Sequence, residues 1–195
     1  MNQEFEYYLI HRKGDDTMPL LAGDDNCPTY LYEEGPMENP KLMSFRIRKP
    51  VPKNPKIVDY HSTPNSVISK KIHDVIAPLK IEGIQLLPST IKVKDKELIK
   101  NYWAIHIYNR IKCLDLKLSK CTSDDDMLDD VEKLILDKKK LKAIPLAKRL
   151  VFRLEEDYSY QLYHVSIVEA IKAVDPVGVG FTNIENWNEE SYFDN

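Results

Sequence analysis

Five histidines, His11, His61, His73, His106 and His164, are the residues of this chain best suited to proton transfer or metal binding. Their spacing fits neither role: no pair stands in an HExxH or HxH arrangement that would put two imidazoles on one metal ion. Cys27, Cys113 and Cys121 are odd in number and form no CxxC, so neither a disulfide framework nor a thiolate zinc site is expected. Cys113 stands in an apolar alternation and reads as a small buried hydrophobe. The Asp15-Asp16 and Asp24-Asp25 pairs sit beside Gly14 and Gly23. They lack the alternating acids, mid-loop glycine and terminal glutamate of a calcium loop, and read as solvated turns. There is no GxSxG elbow, P-loop or GxGxxG, and six glycines leave little material for a phosphate cradle. No catalytic residue, cofactor or metal is therefore expected. An enzyme would have to assemble its site from scattered positions.

Charge is more informative than chemistry. The net charge of −3 hides nine acids against two bases in residues 1–39 and nine against one in residues 155–195, around a middle of +12. Either the ends neutralise the middle, or they build an acidic face that steers a basic partner. Residues 133–149 carry seven bases and one acid, the only segment that suggests a nucleic-acid-binding module. It lacks the aromatics that would stack bases, and a solvated face explains it as well. Without an apolar run long enough for a bilayer or a leader-like N-terminus, a cytoplasmic location is expected.

The elements that would position these groups centre on residues 66–92. Ile68, Ile72, Val75, Ile76 and Leu79 share one helical face, Ser69 is a candidate N-cap, and Gly83 precedes an alternating strand from Ile84. A similar order returns at residues 163–184, where Ser166 and Glu169 spell a capping box and Gly178 precedes Val179 and Phe181. This suggests a repeated helix-strand unit on a shared sheet. Further strands are expected at Phe5–His11, Met43–Arg48, Asn101–Tyr108, Cys113–Leu118, Leu134–Leu136, Leu150–Leu154 and Tyr160–Tyr163. A capped surface helix is expected over 122–132, and Lys138–Lys140 at a turn tip. The fold class is α+β, an antiparallel or mixed sheet with a few short helices. Residues 1–44 form an irregular acidic N-terminal strand and arm, and 45–195 the main domain, in one globular unit.

An ordered set of motifs adds to this. Val67-Ile68-Ser69 to Gly83-Ile84-Gln85-Leu86-Leu87-Pro88 is followed by Tyr102 to Asn109 with Cys113-Leu114-Asp115. Then come Leu136-Asp137, Val151-Phe152-Arg153-Leu154 and Val165-Ser166 to Gly178-Val179-Gly180-Phe181. In order and spacing, roughly from Phe45 to Trp187, the chain resembles the eleventh immunity-protein family of bacterial polymorphic toxin systems, formerly a domain of unknown function. It departs at Lys70-Lys71, where the family often has acids. The resemblance implies a non-enzymatic toxin inhibitor of interbacterial competition, which binds a cognate toxin domain acting inside the cell, such as a basic nuclease. Charge and aromatic clustering make Asp124, Asp125, Asp126, Trp187, Glu189, Glu190 and Tyr192 the candidate contacts.

Overall fold

The computed structural model describes residues 3–24, 27, 34–94, 97–124 and 127–188. Two mixed sheets carry the fold, with three short helices among the described residues. The five-stranded sheet runs β13-β1-β12-β11-β8, from β1 (Tyr7–Arg12), β8 (Arg110–Ile111), β11 (Val151–Leu154), β12 (Gln161–His164) and β13 (Val179–Asn183). The six-stranded sheet runs β2-β3-β6-β7-β5-β4, from β2 (Leu21–Gly23), β3 (Met43–Ile47), β4 (Tyr60–His61), β5 (Val67–Ser69), β6 (Ile84–Lys94) and β7 (Glu97–Ile107). Among the described residues only β8 with β11 and β3 with β6 pair in parallel. The hairpin of β9 (Lys120–Asp124) and β10 (Met127–Lys133) is a separate two-stranded sheet.

In β1 and the C-terminal half of β7 both faces are buried, and the side-chain alternation sorts residues between core clusters, whereas β3 alternates between core and water at Arg46. Tyr8 and Ile10 of β1 face a cluster holding α1 (Lys70–Ile76) and α3 (Val165–Lys172), which pack on each other where the two sheets meet. Tyr7 and Leu9 face the opposite side, with Phe152, Leu154, Leu162 and Trp187. On β7, Ile105 and Ile107 join the helices, while Tyr102 and Ala104 join Phe45, Leu87 and Ile91 in a third cluster. The strand expected over Phe5–His11 is β1. β1 lies between β12 and β13, pairing Tyr7 with His164 and Ile10 with Phe181.

The two helix-strand units follow similar paths. In each, a strand (β5 or β12) runs straight into a helix, a left-handed glycine follows (Gly83, φ 79°; Gly178, φ 72°), and a second strand (β6 or β13) leaves. A β-carbon at Gly83 would stand 2.2 Å from Cβ of Asn109, so shape as well as φ demands glycine there. Each pair of strands flanks an antiparallel strand. That strand is β7, which follows its unit, in one case and β1, from the other end of the chain, in the other, which is not what a tandem copy produces.

The caps differ from expectation. Ser69 gives no side-chain cap to α1, because its hydroxyl donates to the Asp59 carboxylate. At α3 the capping residue is His164, whose Nδ1 accepts from the Ser166 N–H at 3.2 Å, while Glu169 pairs with Lys172. Ile68 belongs to β5, and Leu79 is exposed.

Three other expectations fail locally. Residues 122–124 and 127–132 lie in the strands β9 and β10 and not in a helix. Their register shifts between Asp129 and Lys133, and Leu128 and Val131, three apart, both pack on the cluster around Trp187. A bulge can bring such a pair to one face, and the same spacing imitates a helical stripe. After Leu114, which bridges Leu136, the 113–118 alternation ends in a turn where the Asp115 carboxylate accepts the N–H groups of Lys117 and Leu118. Lys138–Lys140 begins α2 (Lys138–Lys142), capped by the Asp137 carboxylate, which accepts from the N–H groups of Lys139 and Lys140. Asp137→Ala is expected to cost about 1 kcal/mol in a urea titration, the usual worth of such a cap.

Candidate partner-binding surface

The β9–β10 hairpin belongs to neither large sheet, so both of its outer edges are free of ladder partners among the described residues. An open edge offers unpaired N–H and C=O groups to another chain. The hairpin stands on the body through half-buried Leu128 and Val131. Beside its base the turn at 115–119 leaves Leu116 and Leu118 54% and 65% exposed. Apolar side chains bordered by charge are the composition of an interface core with its rim.

Of the sequence-derived contacts, Asp124 ends β9. Asp125, Asp126, Glu189, Glu190 and Tyr192 lie outside the described residues. Trp187 is 4% exposed, its ring edge-on to Tyr160 at 5.3 Å, in the cluster that supports the hairpin. Its indole is thus docked on the body and belongs to the support of this surface, not to its exposed part.

The histidines are dispersed among structural roles. His11, His61, His106 and His164 are buried. His11 Nε2 meets the Thr182 hydroxyl at 3.1 Å, His106 Nε2 the Gly35 carbonyl at 2.7 Å, and His73 stacks on Trp103 at 3.8 Å. Among the described residues no three His, Cys, Asp or Glu side chains gather as metal ligands. Burial pushes the Cys27 thiol up to about 11 and raises those of Cys113 and Cys121, which keeps all three protonated and poorly nucleophilic at neutral pH.

The basic run 133–149 is divided. Lys140 Nζ donates to the Leu114 carbonyl at 3.1 Å, Lys138 pairs with Glu185 at 3.0 Å, and Arg149 is buried. A phosphate backbone would therefore meet a broken strip of charge. Sequence patterning missed the structural importance of Arg149 and Arg153, both at most 4% exposed, because neither a basic run nor a strand pattern distinguishes a guanidinium that turns inward.

No helix among the described residues is long and apolar enough to cross a membrane. A comparison with curated proteins gives no match. The model of the Imm11 immunity protein family matches residues 5–186, which takes in β1 and the segment before Phe45 as well as the motifs after it. With almost the whole described fold inside that match, the chain belongs to the Imm11 immunity protein family.

Proposed function

We propose that this protein binds a toxin domain directly and neutralises it in the cytoplasm, as a non-catalytic inhibitor within a polymorphic toxin system. The family match over residues 5–186 carries the reading. The open-edged hairpin supports it as the contact region. Asp124, Asp125 and Asp126 would present acids to a basic toxin such as a nuclease, with Glu189, Glu190 and Tyr192 as further contacts and Leu116 and Leu118 as apolar anchors. Trp187 would support them from below.

The test is co-expression with the toxin domain encoded beside the gene, in a bacterium that the toxin kills. The expected results are restored growth and a one-to-one complex on size-exclusion chromatography. Reversing Asp124, Asp125 and Asp126 to lysine should weaken that complex at least about tenfold, mostly through slower association at low salt. Unrelieved killing, with both proteins present, would overturn the immunity reading. Unchanged affinity after charge reversal would remove the three aspartates from the interface.

A further inference from the structure

A second surface lies at the other end of β1. An open groove of about 450 Å³ runs between residues 12–20 and 48–52, lined by Arg12, Met18, Leu20, Arg48, Lys49 and Pro50, with Asp15 and Asp16 on its rim. Its walls are joined at two points, where Arg48 N–H donates to the Leu20 carbonyl at 2.8 Å and Lys56 N–H to the Thr17 carbonyl at 2.7 Å. Between those clasps Pro50, Pro52 and Pro55 have no N–H to offer, so the backbone there cannot zip the groove shut. The opening is built in.

Its cations outnumber its acids, with Arg12, Arg48 and Lys49 against Asp15 and Asp16. Residues 41–56 hold six bases and no acid. Among the described residues none of Arg12, Arg48 and Lys49 has a carboxylate within ion-pair distance. Arg12 is half-buried and held by the backbone. Its Nη1 donates to the carbonyls of Lys13 (2.9 Å) and Met18 (2.8 Å), while Nε and Nη2 have no partner among the described residues. Loss of water pushes its guanidinium down from the usual range, and the nearby Asp15 only partly offsets this. Asp15 itself is engaged, accepting the N–H and hydroxyl of Thr17, each at 2.7 Å.

We infer that this groove receives an extended, carboxylate-bearing segment of the protein partner, with the carboxylate held between Arg12 and Arg48. The inference relies on the immunity reading only for the nature of the partner. A guanidinium fixed by backbone carbonyls loses little freedom when it binds an acid, and its fork matches a carboxylate. Met18, Leu20 and the prolines provide an apolar floor for the segment's other side chains. A nucleic acid fits less well, because no aromatic lines the groove to stack a base.

The test is an NMR titration of the isotopically labelled full chain with N-acetyl triglutamate amide, its triglutamine counterpart and hexathymidylate. Triglutamate should give saturable shifts at Met18 and Leu20. Arg12→Gln and Arg48→Gln should each weaken binding about tenfold, as expected for one charge-assisted contact. Arg48 is exposed, so Arg48→Gln carries the test even if Arg12→Gln fails to fold. Equal responses to triglutamine, tighter binding of hexathymidylate or an unaffected Arg48→Gln would overturn the groove. The readout needs no toxin: failed growth protection with intact peptide binding rejects the toxin reading alone, and the converse rejects the groove alone.

Discussion

Arg149→Met is expected to lower the free energy of unfolding by about 3–5 kcal/mol, the cost of removing one member of a buried, hydrogen-bonded charged group. Arg149 is 1% exposed and spends its donors on four acceptors. Nε donates to the Ile144 carbonyl (2.9 Å), Nη1 to the Glu4 carbonyl and the Tyr7 hydroxyl (both 2.8 Å), and Nη2 to Glu4 Oε1 (3.1 Å). The Glu4 side chain is 45% exposed, so the ion pair itself is partly screened and the uncharged acceptors carry much of the effect. Methionine fills the space but leaves those acceptors bare. Burial pushes the Tyr7 phenol up and Arg149 pulls it partly back, so the two groups depend on each other. Arg149→Lys should lose less, because it keeps the charge without the fork. Urea titrations of the three proteins measure both losses, and a methionine variant within about 1 kcal/mol of wild type would mean that water replaces the guanidinium.

Acid should destabilise the fold well above the carboxylate range, and His61 is the main reason. Its ring is 1% exposed, tilted against Tyr102 at 6.2 Å, and neither nitrogen makes a hydrogen bond of ordinary geometry among the described residues. Burial lowers it to about 4, the Arg12 charge adds to the shift, and the Pro19 carbonyl and Asp59 only partly offset them. The unfolded chain takes up this proton near pH 6.5 and the folded chain near 4, so between those values the unfolded state binds more protons. The contribution is complete above about pH 6.5 and falls away towards pH 4, a loss of about 3 kcal/mol. Burial lowers His11 and His164 in the same direction. Urea midpoints from pH 7.5 to 4 should therefore drop steeply in wild type and less steeply in His61→Gln. Parallel profiles would show that His61 does not carry the effect.

The strands were most legible where composition and pairing agree. The alternation from Tyr102 to Ile107 marks β7 correctly, since each face meets a different apolar cluster. The α+β class followed from short helices ended by glycine and separated by strands, and the left-handed φ of Gly83 and Gly178 is what those glycines signalled. What misled was local chemistry redirected by tertiary contacts. Ser69 reads as a cap until Asp59 takes its hydroxyl, and Ser166 until a histidine two residues earlier does the capping. The acids of 122–132 suit a helix start as well as a hairpin, and only the packing of Leu128 and Val131 decides between them. The candidate contacts were chosen by charge and aromaticity, which cannot tell an exposed tryptophan from a docked one. Trp187 proved docked. The groove went unread because its cations come from two segments, around Arg12 and Arg48, that meet only in the fold.

The position of β1 sets the order in which this molecule can come into being. Its neighbours on either side, β12 and β13, come from residues 161–164 and 179–183, so β1 has no ladder partner until β12 has been made. Contacts so distant in sequence close late and fold slowly. A transcript cut short anywhere before β12 yields a chain whose five-stranded sheet lacks its centre. However early β1 is made, it waits outside the ladder until β12 exists to receive it.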